Sequence, residues 1–124
     1  MKKWRSLRGR GAIHRVRQRG SLLRSELIQC WVQVHASEFP SISAGFAVAR
    51  RSFSAVHRNR LKRLMREAFR HEQDSLIDIL NERKLHASIL FSFRDKKGRS
   101  VTHTNLRDVH EDVAKLVRLV VLKL

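Results

Sequence analysis

The chain has 124 residues and a formal charge of +16, from 27 Lys and Arg against 11 Asp and Glu. A chain of this length buries roughly two-thirds of the surface its unfolded form exposes, enough for one core and one domain over 1–124. With 42% apolar residues it can fill that core, while so one-sided a charge speaks to a polyanionic partner rather than to fold. A two-domain enzyme, a disulfide scaffold and an acidic metabolic enzyme are thereby excluded. The single cysteine, Cys30, cannot close an internal disulfide, which points to a reducing, cytoplasmic compartment. No stretch approaches the ~20 apolar residues of a membrane span, so no membrane partner is expected. The basic opening Met1-Lys2-Lys3-Trp4-Arg5 lacks the apolar region of a signal peptide, and Gly9 and Gly11 interrupt the amphipathic helix of a transit peptide.

The elements follow in chain order. Residues 1–8 read as a flexible basic lead-in. A short helix fits about Gly9 to Arg19, with Ile13 and Val16 as its apolar side. From Leu27 to Val34 the run Leu-Ile-Gln-Cys-Trp-Val-Gln-Val is β-branched and aromatic, with the partial alternation of a strand. Glu38 to Ser43, which holds the only proline, Pro40, reads as a loop. Ala44 to Ala49 resumes as a strand of small residues. Ser54 is placed to cap a helix from about Ala55, in which Leu61, Leu64, Met65, Ala68 and Phe69 form one buried stripe. A third strand fits His86 to Phe93, followed by the turn-like Arg94-Asp95-Lys96-Lys97-Gly98. The last helix begins near Thr104, with Asp108, Glu111 and Asp112 early, where the helix dipole favours acids, and Leu106, Val109, Val113, Leu116, Val117 and Val120 facing inward. Helix, strands, helix, strand, helix is an α+β arrangement, a small mixed sheet layered with helices.

Charge divides the chain more sharply than propensity does. Residues 1–24 and 50–70 carry nearly all the excess, while 25–49 contain no Lys or Arg and the remainder is almost balanced. In the second basic block, Asn59, Arg63, Arg66 and Arg70 line one helical stripe opposite the apolar face, flanked by Lys62, with Arg58 and Arg60 at the N-terminal end. Arginine outnumbers lysine, and its planar fork binds phosphate bidentately and stacks on bases. A merely solvated helix would place a Glu three or four residues from each base, and only Glu67 does so. The pattern reads as nucleic-acid binding.

At these residues the chain resembles a family. The run Arg58-Asn59-Arg60-Leu61-Lys62-Arg63-Leu64-Met65-Arg66, with Ala55-Val56 before it, is similar to the signature of the protein component of bacterial ribonuclease P. Ala44 to Arg51 resembles that family's strand ending in two basic residues, Arg50 and Arg51, and Leu7, Ile13, Val16 and Gly20 fall where its first helix and closing glycine lie. The resemblance covers most of 7–95. It implies an α+β sandwich with a left-handed βαβ crossover through the basic helix. It also implies an accessory subunit of an endoribonuclease whose catalytic RNA removes the 5′ leader of precursor tRNA with RNA-bound magnesium. No catalytic residue, cofactor, metal site or protein partner is implied for the chain itself. By position Arg50, Arg51, Arg58, Asn59, Arg60, Lys62, Arg63, Arg66 and Arg70 would bind the catalytic RNA, and Ile13, Arg17 and Trp31 would line a cleft for the unpaired leader.

The chain departs from the family where aromatics are usual: Ile13 and Arg17 stand there, and only Trp31 keeps a ring. Guanidinium stacking by Arg17 is the expected substitute. Phe53 stands where glycine is usual. Among rival sites, His103 and His110 with Glu111 do not match zinc spacing, His57 and His71 flank the basic helix, and Asp74, Asp78 and Glu82 read as a solvated helix face. Cys30 reads as core. The alternative of another class is a small ribosomal or other structural RNA-binding protein without a role in tRNA processing; a third is a DNA-compacting protein.

Overall fold

A computed structural model describes residues 4–49, 54–94 and 105–124. The chain runs β1 (Arg5–Ser6), α1 (Arg10–Arg19), β2 (Ser21–Arg24), β3 (Ile28–Ala36), β4 (Ser41–Ala47), α2 (Ala55–Arg83), β5 (Leu85–Phe93) and α3 (Leu106–Lys123). The strands form one mixed sheet ordered β1-β4-β5-β3-β2. β3 is antiparallel to β2 and β5, whereas β4 is parallel to β5 and β1 to β4. This is the α+β class expected from the sequence. β4, α2 and β5 make the βαβ unit through which the family resemblance implies a left-handed course.

Period-2 alternation decides which face each strand buries. Register sets Ile28 opposite Phe93, Cys30 opposite Phe91 and Val32 opposite Ile89, with Ala44 of β4 beside Ile89 in turn. All of these are buried. Against that face lie Leu61, Met65, Ala68, Phe69, Leu76 and Leu80 of α2 and Val109, Val113, Leu116, Val117 and Val120 of α3, in one continuous core. Phe46 and Phe91 stack with ring centroids 5.5 Å apart, and Phe69 meets Phe91 at 5.2 Å. The stripe read on α2 is thus the core stripe, with Leu64 half-buried at its margin. Ser54 caps α2 as expected, its side chain accepting from the His57 N–H, and Asn105 does the same for α3 from the Asp108 N–H.

Several boundaries differ from the sequence reading. The lead-in is ordered from Trp4, which is buried and packs edge-on against Phe46 and Phe69, and Arg5–Ser6 adds a strand to β4. β2 is a further strand. With two and four residues, neither is long enough to show periodicity; pairing to a neighbour, not local propensity, creates them. The expected loop over Glu38 to Ser43 gives way to strand at Ser41, because Ser41, Ile42 and Ser43 pair with His86, Ala87 and Ser88 of β5; Pro40, which cannot donate to a ladder, stands just outside. β4 ends at Ala47, two residues earlier than expected, and α2 continues to Arg83. Thr104, Arg50, Arg51, Phe53, His103 and most of the turn after Arg94 lie outside the described residues.

The second face of the sheet carries α1. Leu90 and Val16 are both buried there, apart from the main core. Gly20 closes α1 as the resemblance suggested: a Cβ at this position would sit 2.5 Å from the Val16 carbonyl oxygen. α3 is tied to the start of β3 by Asp112, a buried carboxylate that accepts from the Leu27 and Ile28 N–H groups and the Ser25 hydroxyl.

Candidate nucleic-acid interface

The first four turns of α2 present the basic stripe. Asn59, Arg63, Arg66 and Arg70 are exposed, and Arg60 and Lys62 are half-buried. With Val56, five of them (Asn59, Arg60, Lys62, Arg63 and Arg66) line an open groove of about 550 Å³. Among the described residues no carboxylate pairs with Arg60, Lys62, Arg63 or Arg66. Arg66 leans over the Phe46 ring, its guanidinium carbon 5.9 Å from the centroid, which holds it toward the sheet. Arg58 is half-buried and already engaged. Arg70 differs from its neighbours on the stripe: its Nη2 lies 2.9 Å from Glu67 Oε1, and His71 approaches the same oxygen at 3.4 Å. Its charge is partly cancelled in place.

The three residues assigned to a cleft sit on the other side of the sheet. Trp31 is half-buried on the face opposite Cys30 and Val32, so its ring faces α1 rather than the core. The Arg17 guanidinium lies over it at 5.1 Å. Ile13, Val16 and Arg17 share one face of α1 by their i, i+3, i+4 spacing, with Val16 buried and Ile13 half-buried. Arg17 and Trp31 are therefore brought into a cation–π contact, with Ile13 one turn away. The arrangement offers an indole and a guanidinium plane to an unpaired base.

Other sequence candidates resolve as structure. His110 Nε2 lies 2.6 Å from Glu72 Oε1 and joins α3 to α2. Among the described residues no group of three or more His, Cys, Asp or Glu is set to hold a metal ion. Asp74, Asp78 and Glu82 are exposed on α2. Burial pushes the Cys30 thiol up to about 12, as suits a core residue. Sequence reasoning missed Phe46 as the seat for Arg66 and Asp112 as a buried anchor. The first had a signal in the apolar run of β4. The second had none, because its partners are 84 or more residues away. Among the described residues no helix is long and apolar enough to cross a membrane.

An arginine-rich helical stripe, paired with carboxylate among the described residues only at Arg70, and a guanidinium–indole contact across a five-stranded sheet mark a small α+β protein whose charge suits a polyanion. A family model described as Ribonuclease P matches residues 1–118, and the chain belongs to that family. It is similar to the ribonuclease P protein component of Porphyromonas gingivalis, 50% identical over 46 residues, and to that of Chlorobium phaeobacteroides, 47% identical over 47. Those segments cover 36% and 37% of this chain, and 34% and 32% of the relatives, so the match spans about a third of the curated proteins. The RNase P protein from Thermotoga maritima has a similar fold, with TM-score 0.70 and 22% identity over 92% of this chain and 96% of that one. The Staphylococcus aureus RNase P protein follows at TM-score 0.65 and 14% identity, over 93% and 94%.

Proposed function

We propose that this chain is the protein subunit of ribonuclease P, acting in the cytoplasm with a catalytic RNA to remove the 5′ leader from precursor tRNA. The observation that carries the reading is the run Arg60, Lys62, Arg63 and Arg66 on α2, which has no carboxylate partner among the described residues and lies within the stretch the family model matches. An RNA duplex presents closely spaced phosphates, and a preformed cationic helix neutralises them without the cost of ordering its backbone. In this reading Arg58, Asn59 and Arg60 lie nearest the folded RNA, the resemblance assigns Arg50 and Arg51 to the same partner, and Arg70 contributes least. Ile13, Arg17 and Trp31 hold the single-stranded leader, one base stacking at the indole for ~1–3 kcal/mol.

Catalysis belongs to the RNA and its magnesium ions; the protein supplies positive charge and grips the substrate outside the cleavage point. The test is cleavage of precursor tRNA by a bacterial ribonuclease P RNA at low magnesium, with and without the protein. The protein should restore activity there and add little at high magnesium, where ions already screen the phosphates. Cleavage by the RNA-free protein, or no stimulation at low magnesium, overturns the assignment.

A further inference from the structure

Beyond Trp31 the outer face of the sheet continues as a polar surface that leaves the cover of α1. On β3 the residues of this face are Trp31, Gln33 and His35, and register sets them opposite Leu90, Ser88 and His86 of β5. β4 adds Ser43 beside Ser88 and Ser41 beside His86, and β1 places Arg5 beside Ser43. At ~3.3 Å per residue, His35 lies about 13 Å along the strand from Trp31. Leu90, at the level of Trp31, is buried, whereas His86 is half-buried and His35 exposed, so the surface opens toward this end.

The far end has a definite chemistry. The His35 and His86 rings lie 4.9 Å apart. His86 Nδ1 is 2.6 Å from the Ser41 hydroxyl oxygen and Nε2 is 3.2 Å from that of Ser88. Hydroxyls both donate and accept, so these contacts hold the ring in either its neutral or its protonated form. Burial depresses the His86 pKa below the ordinary 6.5, and the charged groups that bear on it, His35 from β3 and Arg5 from β1, are both basic and lower it further. The opposing elements β4 and β5 supply only serine hydroxyls at this point. Two imidazoles, a guanidinium and two hydroxyls with no acid among them lack one thing, a negative charge.

We propose that His35, His86, Ser41, Ser88 and Arg5 form a phosphate subsite for single-stranded RNA, extending the groove that begins at Arg17 and Trp31. The proposal rests on reading that groove as a surface for the unpaired leader. A strand that stacks a base at Trp31 and follows β3 would set a phosphate between the imidazoles. That phosphate would favour protonation of both rings, so binding through this end strengthens as pH falls.

The test uses the full chain with oligouridylates of four to ten nucleotides, and inorganic phosphate as the non-RNA probe, at pH 6.0 and 7.5. Affinity and the imidazole NMR signals are read together. Affinity should rise with length once the strand spans both ends, and the long oligomers should bind about five-fold tighter at pH 6.0, on the order of one charge-assisted contact. The double variant His35→Gln with His86→Gln keeps polar side chains but cannot ionise, and should lose both gains. Arg5→Gln, at an exposed position, should lose part of them and serves if the double variant melts early. Trp31→Ala should weaken oligomers of every length. If Trp31→Ala weakens binding while the histidine and Arg5 variants match wild type at both pH values, the subsite is refuted and the groove stands. If Trp31→Ala also has no effect, the groove reading itself has failed. Histidine signals that move with inorganic phosphate alone, without any length dependence, likewise overturn the RNA assignment.

Discussion

Arg63→Ala and Arg70→Ala remove the same charge from the same stripe, yet the structure separates them. Arg63 is exposed with no carboxylate partner among the described residues, whereas Arg70 stands 2.9 Å from Glu67. Each cation that neutralises a duplex phosphate releases counterions and steepens the salt dependence of binding by a slope of ~0.9. A fourfold rise in salt therefore weakens binding about 3.5-fold per contact, and about 150-fold if Arg60, Lys62, Arg63 and Arg66 each make one. Arg63→Ala should lower the slope by about 1. Arg70→Ala should lower it by less than half of that. An exposed pair of this kind is weak in itself, but Glu67 stays on the helix and offsets charge there with or without Arg70. The assay is affinity for a bacterial ribonuclease P RNA between 50 and 200 mM monovalent salt at fixed magnesium. Both variants should melt within ~0.5 kcal/mol of wild type, because neither side chain is in the core. Equal flattening by the two variants refutes the ion-pair argument; no flattening by either removes α2 from the RNA-facing surface.

Four further outcomes are expected. Trp31→Ala should reduce the preference for long-leader over leaderless substrate by ~1–3 kcal/mol in binding titrations, with RNA assembly little changed; an unchanged ratio refutes the groove. Asp112→Ala strands two buried N–H donors and the half-buried Ser25 hydroxyl and should cost ~3 kcal/mol in denaturant melts, whereas Asp112→Asn keeps one acceptor oxygen toward the Leu27 and Ile28 N–H groups and should cost about half as much. Because His86 has a folded pKa below 6.5, the unfolded chain binds the extra proton. Stability should fall as pH drops through about 6.5 and level off once the folded ring also protonates, and His86→Gln should remove that part of the loss. Cys30, held at about 12 by burial, should resist alkylation at pH 8 until the chain is unfolded; rapid native labelling refutes its core placement.

Long elements were legible because their periodicity is local. Leu61, Met65, Ala68 and Phe69 recur at helical spacing, and each is buried as that spacing requires. Ile28, Cys30 and Val32 alternate in β3 and share one face. β1 and β2 were not legible, since a strand of two or four residues has no period and exists only through its partner. The same limit applies to the site. The arginine stripe can be read along one helix, but the neutralisation of Arg70 depends on the rotamer Glu67 adopts. The contact of Arg17 with Trp31 depends on how α1 crosses β3. His35 and His86 are 51 positions apart in the chain, and only the antiparallel register makes them neighbours.

The placement of the two basic surfaces follows from that register. Alternation along β3 sends Cys30 and Val32 toward α2 and α3 and Trp31 toward α1, so one strand serves the core on one side and the groove on the other. The α2 stripe leaves the core side at Arg66, seated on Phe46, while Arg17 closes over Trp31 across the sheet. A ligand on either surface thus contacts side chains that the other does not share. Because the backbone between them is the central sheet, held by the β3–β5 and β4–β5 ladders, loss of one side chain at either surface leaves the other in place. The two sets of variants should accordingly act independently, as separated sites do: in the double variant, Arg63→Ala should weaken RNA assembly and Trp31→Ala the long-leader preference, each by its single-variant amount within ~0.5 kcal/mol. A larger coupling energy in that cycle means that the two surfaces touch one continuous ligand or move together, and the division of labour between them is then wrong.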